Sequence, residues 1–267
     1  MSFTIEPKTF IATLVMPFRY ILQMPARYLL VGVCYFFFYL ALDMLLNKFF
    51  DSTDYIELHM SILMEGILVT PLNAFLSGII ACIVAEQLLD GGTKFPVLIK
   101  TVYGKFGTLI MVGLVYEVLM AFLLLPKLLA DYSTAFILTT LLLVVALPLF
   151  IYLMGSWMFA FQAVIFEGKS TFSALSRSSM IIKYNWWGAV LYLVSSAVII
   201  FAIPFYISVY FKGYIFINYF FIAFAVVYFP ILLTVLYFKF RSKKYSYDLN
   251  LLKWELDQAY RMSNTDI

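Results

Sequence analysis

Apolar residues along this chain fall in long blocks rather than in alternation, and short segments holding most of the Lys and Arg separate them. The blocks free of Lys and Arg run Tyr28–Leu46, Gly66–Leu88, Phe106–Leu125, Thr134–Phe166, Trp187–Phe211 and Tyr214–Phe238. About 20 apolar residues carry a helix across the hydrocarbon of a bilayer. The pattern therefore predicts an all-α, polytopic membrane protein with six transmembrane helices over residues 28–240. Residues 1–27 form an amphipathic cytoplasmic segment and residues 241–267 a cytoplasmic tail helix in this reading.

The fourth block exceeds what a bilayer needs, so it tilts, kinks at Pro148 or Gly155, or projects from the membrane, and is expected as one long helix. Blocks five and six are joined across Lys212 and Gly213, which predicts an antiparallel hairpin. Three polar segments carry helical periodicity of their own. Phe10, Leu14, Phe18 and Ile21 recur on one face, with a break or bend expected at Pro17. Ser170 or Thr171 can cap a short interfacial helix that groups Phe172, Leu175, Ser179 and Ile182. In the tail, Tyr247 to Met262 places Leu249, Leu252 and Leu256 on one stripe, either docking a partner from water or folding back on the bundle.

Composition sharpens this picture: 64% of residues are hydrophobic, 12% are charged, and mean hydropathy is +0.96, values that exclude a soluble domain and a disordered chain. With the N-terminus inside, all of the 18 Lys and Arg except Lys48, Lys127 and Lys212 fall on the cytoplasmic side, which sets both termini there. Tyr103, Trp186 and Trp187 mark the inner interface, and Tyr132, Tyr210 and Tyr214 the outer one. The outer loop is expected over Asn47–Ser61. No cleavable signal is expected, because the first apolar block begins only after Arg27. Cys34 and Cys82 lie inside apolar blocks with no metal-ligand spacing, and His59 stands without a second His or Cys nearby. No metal and no cofactor is implied, and no nucleic-acid partner.

Within the second block Gly66, Thr70, Ala74, Gly78 and Cys82 recur every four residues and make a face of small side chains, a seam for close helix packing. The seam joins helices of one bundle or two copies of the chain, so a homo-oligomer stays open. Pro71, Asn73 and Ser77 occupy the neighbouring face. Glu117 sits near the middle of the third block, between Gly113 and Ala121, where a carboxyl group serves either a helix contact or a proton or cation path. Asp43, Glu65, Glu86 and Glu167 sit at block ends, and Glu86 or Glu167 is a candidate partner for Arg177. Pro71 and Pro204 occupy matching places in a three-plus-three division, as in transporters built from inverted repeats. Motifs for phosphate loops, zinc hydrolysis or a nucleophile elbow are missing, so no catalytic residue is assigned.

From Phe161 to Trp187 the sequence FQAVIFEGKSTFSALSRSSMIIKYNWW resembles a segment of the YciC-like family of uncharacterised bacterial inner-membrane proteins. It is also similar to the membrane domain attached to some glycerophosphoryl diester phosphodiesterases. Ala174, Leu175, Arg177 and Ser178, followed by Trp186 and Trp187, carry the likeness, and Tyr237, Arg241, Lys243, Asp248 and Leu249 extend it into the tail. The resemblance implies a six-helix inner-membrane protein of unassigned role and makes Arg177 and Ser178 candidate functional residues. The catalytic domain of the phosphodiesterases is absent from these residues, so their activity is not implied. The leading expectation is a non-enzymatic scaffold or accessory subunit in envelope function, in contact with membrane lipids and with a protein partner through its cytoplasmic helices. The competing one is a small-solute or lipid transporter that uses Glu117.

Overall fold

The computed structural model describes residues 9–49, 55–89, 95–132, 136–210, 215–245 and 249–265, and the described residues are overwhelmingly helical. Helix α1 (Phe10–Gln23) starts at Thr9, whose side chain accepts a hydrogen bond from the Ala12 amide. It continues through Pro17 without the break expected there, and the chain leaves the helix at Met24. The next residue explains this: Pro25 disfavours a helical residue before it, while its fixed φ suits the first turn of α2 (Pro25–Phe49). The buried side of α1 is Thr13, Leu14, Pro17 and Tyr20, so the predicted stripe is rotated and Phe18 is left partly exposed.

Helix α3 (Tyr55–Leu88) has 34 residues, about 50 Å at 1.5 Å per residue, and so overreaches the hydrocarbon. With α2 reaching Phe49, most of the predicted outer loop is helical rather than loose. The third apolar block is preceded by α4 (Phe95–Tyr103), bent by 66° from α5 (Phe106–Tyr132). The fourth block is two helices, not one: α6 (Phe136–Trp157) ends, Met158 and Phe159 form a turn, and α7 (Ala160–Glu167) follows. Neither Pro148 nor Gly155 is the break. Helix α8 (Thr171–Ile182) follows Gly168, which closes α7 at φ 62°, a left-handed conformation that glycine adopts without strain. Helices α9 (Trp186–Tyr210), α10 (Ile215–Tyr245) and α11 (Leu249–Thr265) complete the chain, and the turn at Lys212 and Gly213 lies outside the described residues.

Four stretches are long and apolar enough to cross a membrane, Pro25–Leu46, Leu63–Leu88, Val144–Glu167 and Tyr219–Ser242, and the bent pair α4 and α5 makes a fifth if it is one span. This is a multi-pass membrane protein. The spans in α3 and α10 are each 61% buried and form the centre, whereas the span in α2 is 17% buried and turns Leu29, Phe37 and Met44 outward. Helix α11 is not free in water. It lays Leu252 and Leu256 on the bundle against α4 and α7, leaving Leu251 and Trp254 outside.

Candidate functional site

A chamber of about 460 Å³ lies between α3, α5, α6, α7, α9 and α10. Its wall is mostly apolar, with Met154, Met158, Phe161, Leu193, Ile222, Phe229 and Leu233 contributing, and among the described residues none that lines it is charged. Helix irregularities gather around it. Pro230 is part of the wall and removes the amide that would bond the Val226 carbonyl four residues back; Val226 lines the wall too. Met158 belongs to the turn between α6 and α7, and Asn73 follows Pro71 by two residues.

Four polar side chains reach the wall: Asn73, Ser77, Tyr116 and Gln162. The Tyr116 hydroxyl donates to the Trp157 carbonyl in the last residue of α6, and its ring stacks on Phe161 with centroids 5.8 Å apart. Gln162 is 1% exposed; its Nε2 donates to Thr234 Oγ1 at 3.4 Å, and Thr234 in turn donates to the Pro230 carbonyl at 2.7 Å. The amide oxygens of Gln162 and Asn73 are both buried and have no hydrogen-bond partner. Unpaired buried acceptors are rare enough in folded proteins to demand a reason.

A second polar neighbourhood lies at the end of α7. Glu167 accepts from Arg177 Nε through both oxygens at 3.0 and 2.8 Å, accepts from the Tyr237 hydroxyl at 2.9 Å, and lies 3.6 Å from Arg241 Nε. Arg241 also grips Glu255 of α11 with two bonds of 3.0 and 2.9 Å and donates to Tyr237 at 2.9 Å. Two acids and two guanidinium groups thus tie α7, α8, α10 and α11 together. Beside them a cavity of about 380 Å³ is bounded by Lys105, Glu167, Trp254, Glu255 and Gln258, and Lys105 donates to the Ile165 carbonyl. Elsewhere Lys239 is buried with hydroxyl partners, Thr13 Oγ1 at 3.2 Å and the Tyr192 hydroxyl at 3.1 Å.

Of the residues singled out by sequence, Asn73 and Ser77 line the chamber, whereas Glu117, the small-residue face, Arg177 and Ser178 lie elsewhere. The Glu117 carboxylate accepts from Thr70 Oγ1 at 3.0 Å and packs against Gly66, where a Cβ would collide with it. It belongs to the seam between α3 and α5. A Cβ on Gly113 would meet Thr70 across the same seam at 2.5 Å, whereas one on Gly78 would meet Val102 of α4 at 2.7 Å; Ala74 and Cys82 are fully buried. Arg177 pairs with Glu167 rather than Glu86, which accepts instead from the Tyr260 hydroxyl. Ser178 is fully buried, accepts from the Phe159 amide at 3.0 Å and donates to the Ser156 carbonyl at 2.9 Å. Its hydroxyl therefore supplies the hydrogen bonds that the turn between α6 and α7 gives up. Asp43 and Glu65 accept from Tyr219 and Tyr39 respectively.

Both cysteines are free thiols, Cys82 buried and Cys34 exposed on α2. The side chain of His59 lies outside the described residues. Among the described residues no group of three His, Cys, Asp or Glu is placed to hold a metal ion. Sequence reasoning passed over Gln162; the available signal was an amide inside an apolar block, where water cannot satisfy it. A comparison with known proteins adds no relative: no family model, no curated protein and no solved structure matches the chain.

Proposed function

We propose that this chain is a non-enzymatic carrier in a bacterial inner membrane that holds a small, largely apolar molecule in its central chamber. The observation that carries this reading is the chamber itself, uncharged and apolar, ringed by Pro230, the turn at Met158 and the segment after Pro71. Ligand sites in membrane bundles take this form, with a few polar groups fixing orientation. Six spans follow if α9, an apolar helix of 25 residues, is added to the five. The distribution of Lys and Arg supports cytoplasmic termini, and the segment around Arg177 and Ser178 supports membership of the YciC-like family.

In this reading Glu117 serves the contact between α3 and α5, where its carboxyl group lies 3.0 Å from the Thr70 hydroxyl. The test is extraction of the protein from native membranes into nanodiscs, with mass spectrometry of the bound small molecules. A compound present at about one per chain and lost from Ala225→Phe, which fills the chamber, is the expected result. Equal recovery from both proteins overturns the reading. An accessory subunit in envelope function is the second reading, favoured by the exposed Leu251 and Trp254 on α11. It predicts a stoichiometric protein partner lost on Trp254→Ser.

A further inference from the structure

We propose that the cavity of about 380 Å³ beneath α11 binds a small, singly charged oxyanion, a carboxylate or a phosphodiester, with its acid oxygens on Lys105, and that this ligand fastens α11 to the bundle. The site stands apart from the chamber and from the carrier reading, since among the described residues no side chain lines both cavities. The bundle and the tail each build one side of it. Lys105, in the bend between α4 and α5, joins Phe166, Glu167 and Gly168 at the end of α7; Trp254, Glu255 and Gln258 of α11 face them. A solute can reach these polar groups, because Lys105 and Gln258 are partly exposed and Trp254 is 58% exposed.

Charge decides what fits. Glu167 is held by Arg177 and Arg241, and Glu255 by both terminal nitrogens of Arg241. Lys105 donates to the Ile165 carbonyl, a neutral group that takes one of its three N–H bonds, and among the described residues no carboxylate pairs with it. Lys105, Arg177 and Arg241 against Glu167 and Glu255 therefore leave one positive charge uncancelled, at Lys105. A monoanion cancels it. A dianion would set a second negative charge against the two carboxylates, a cation would add to the excess, and a neutral amide would leave Lys105 as it is. The rings of Phe166 and Trp254 bound the remaining space, so the body carrying the acid group is apolar or aromatic. Such a ligand touches α11 and the bundle at once. It binds only while α11 is docked, and by linkage its binding slows the opening of α11 in proportion to ligand concentration over Kd.

The experiment uses the full chain in nanodiscs of phosphatidylcholine and follows hydrogen exchange of the α11 amides with benzoate, benzamide or phthalate added. We expect benzoate at about ten times its half-saturating concentration to slow α11 exchange about tenfold, with benzamide and phthalate much weaker. Lys105→Met should abolish the benzoate effect and Lys105→Arg should keep it, with α11 still docked in both because Arg241 and Glu255 are untouched. Trp254→Ser provides a second arm: it removes a ring from the wall and should raise the half-saturating concentration several-fold while Leu252 and Leu256 keep α11 in place. Nanodiscs containing phosphatidylglycerol separate the sources of the oxyanion. Slowing there without benzoate, lost in Lys105→Met, assigns the site to a lipid headgroup, and slowing by benzoate alone assigns it to a soluble acid. Equal effects of benzoate and benzamide, a benzoate effect that survives Lys105→Met, or no slowing by either benzoate or phosphatidylglycerol overturns the proposal. Phthalate acting more strongly than benzoate overturns the single charge.

Discussion

Helices α7 and α10 each carry two polar neighbourhoods that treat polarity in opposite ways. On α7, Gln162 borders the chamber with its amide buried, and five residues later Glu167 meets two guanidinium groups and a phenol. On α10, Pro230 and Thr234 border the chamber, and Tyr237 and Arg241 join the ion cluster two turns on. In the cluster each charge faces one of opposite sign, so removing one group strands another. In the chamber the polar side chains carry no charge, and a single weak hydrogen bond of 3.4 Å holds the Gln162 amide. Charges buried against one another make a neighbourhood that one substitution can unbalance, and neutral amides do not.

That contrast is most severely tested at Arg241. Replacing it by Met leaves Glu255 without its two-bonded partner and Glu167 with only one of its two cations, all in a buried setting. Breaking a buried pair from one side typically costs about 3–5 kcal/mol. Thermal unfolding in nanodiscs should register a loss of that order, and limited proteolysis should cut after Tyr245 as α11 detaches. Unchanged stability with α11 still protected would mean that the cluster holds nothing together. Combining Arg241→Met with Glu255→Gln should recover part of the loss, since the stranded charge is gone.

The next effects down are steric and polar defects in the bundle. Gly113→Leu drives a side chain into Thr70 across the seam of α3 and α5, and overpacking of this kind costs about 1–3 kcal/mol. Ser178→Ala deprives the Phe159 amide of its partner and leaves the Ser156 carbonyl only the 3.4 Å bond from Ser179, a loss of about 1–3 kcal/mol. Hydrogen exchange should rise at Phe159 specifically, and uniform exchange across α6 and α7 would refute the role given to Ser178. Glu117→Gln, whose amide can still accept from Thr70, should leave recovery of the compound bound in the chamber unchanged; a several-fold change would return the carboxyl group to the transport path.

What could be read from the sequence follows the range over which each feature is determined. Apolar blocks, the small-residue stripe of α3 and the tail stripe of Leu252 and Leu256 are set by residues a few positions apart; four or five of the blocks are span-capable helices, and Leu252 and Leu256 are buried. The N-terminal turn was also local, but Pro17 drew attention from Pro25, which acts on the residue before it. The turn at Met158 and Phe159 was out of reach because its hydrogen bonds come from Ser178, on another helix. The chamber was hidden for the same reason. Asn73 and Gln162 stand 89 positions apart along the chain and share a wall only because α3 and α7 pack together.

The smallest predicted change draws the sharpest line between the two neighbourhoods. In Gln162→Leu the variant gives up one long hydrogen bond of 3.4 Å to Thr234 and also removes a buried oxygen that had no partner. These terms oppose each other, and replacing a poorly paired polar group by an apolar one of similar size is close to neutral. Ligand-free protein should therefore unfold within about 1 kcal/mol of the original, whereas Glu167→Leu, five residues away on the same helix, should lose several times more by stranding Arg177 and leaving Arg241 with Glu255 alone. A large loss at Gln162 would place its amide among the groups that hold the bundle together, and the contrast between the two neighbourhoods would go with it.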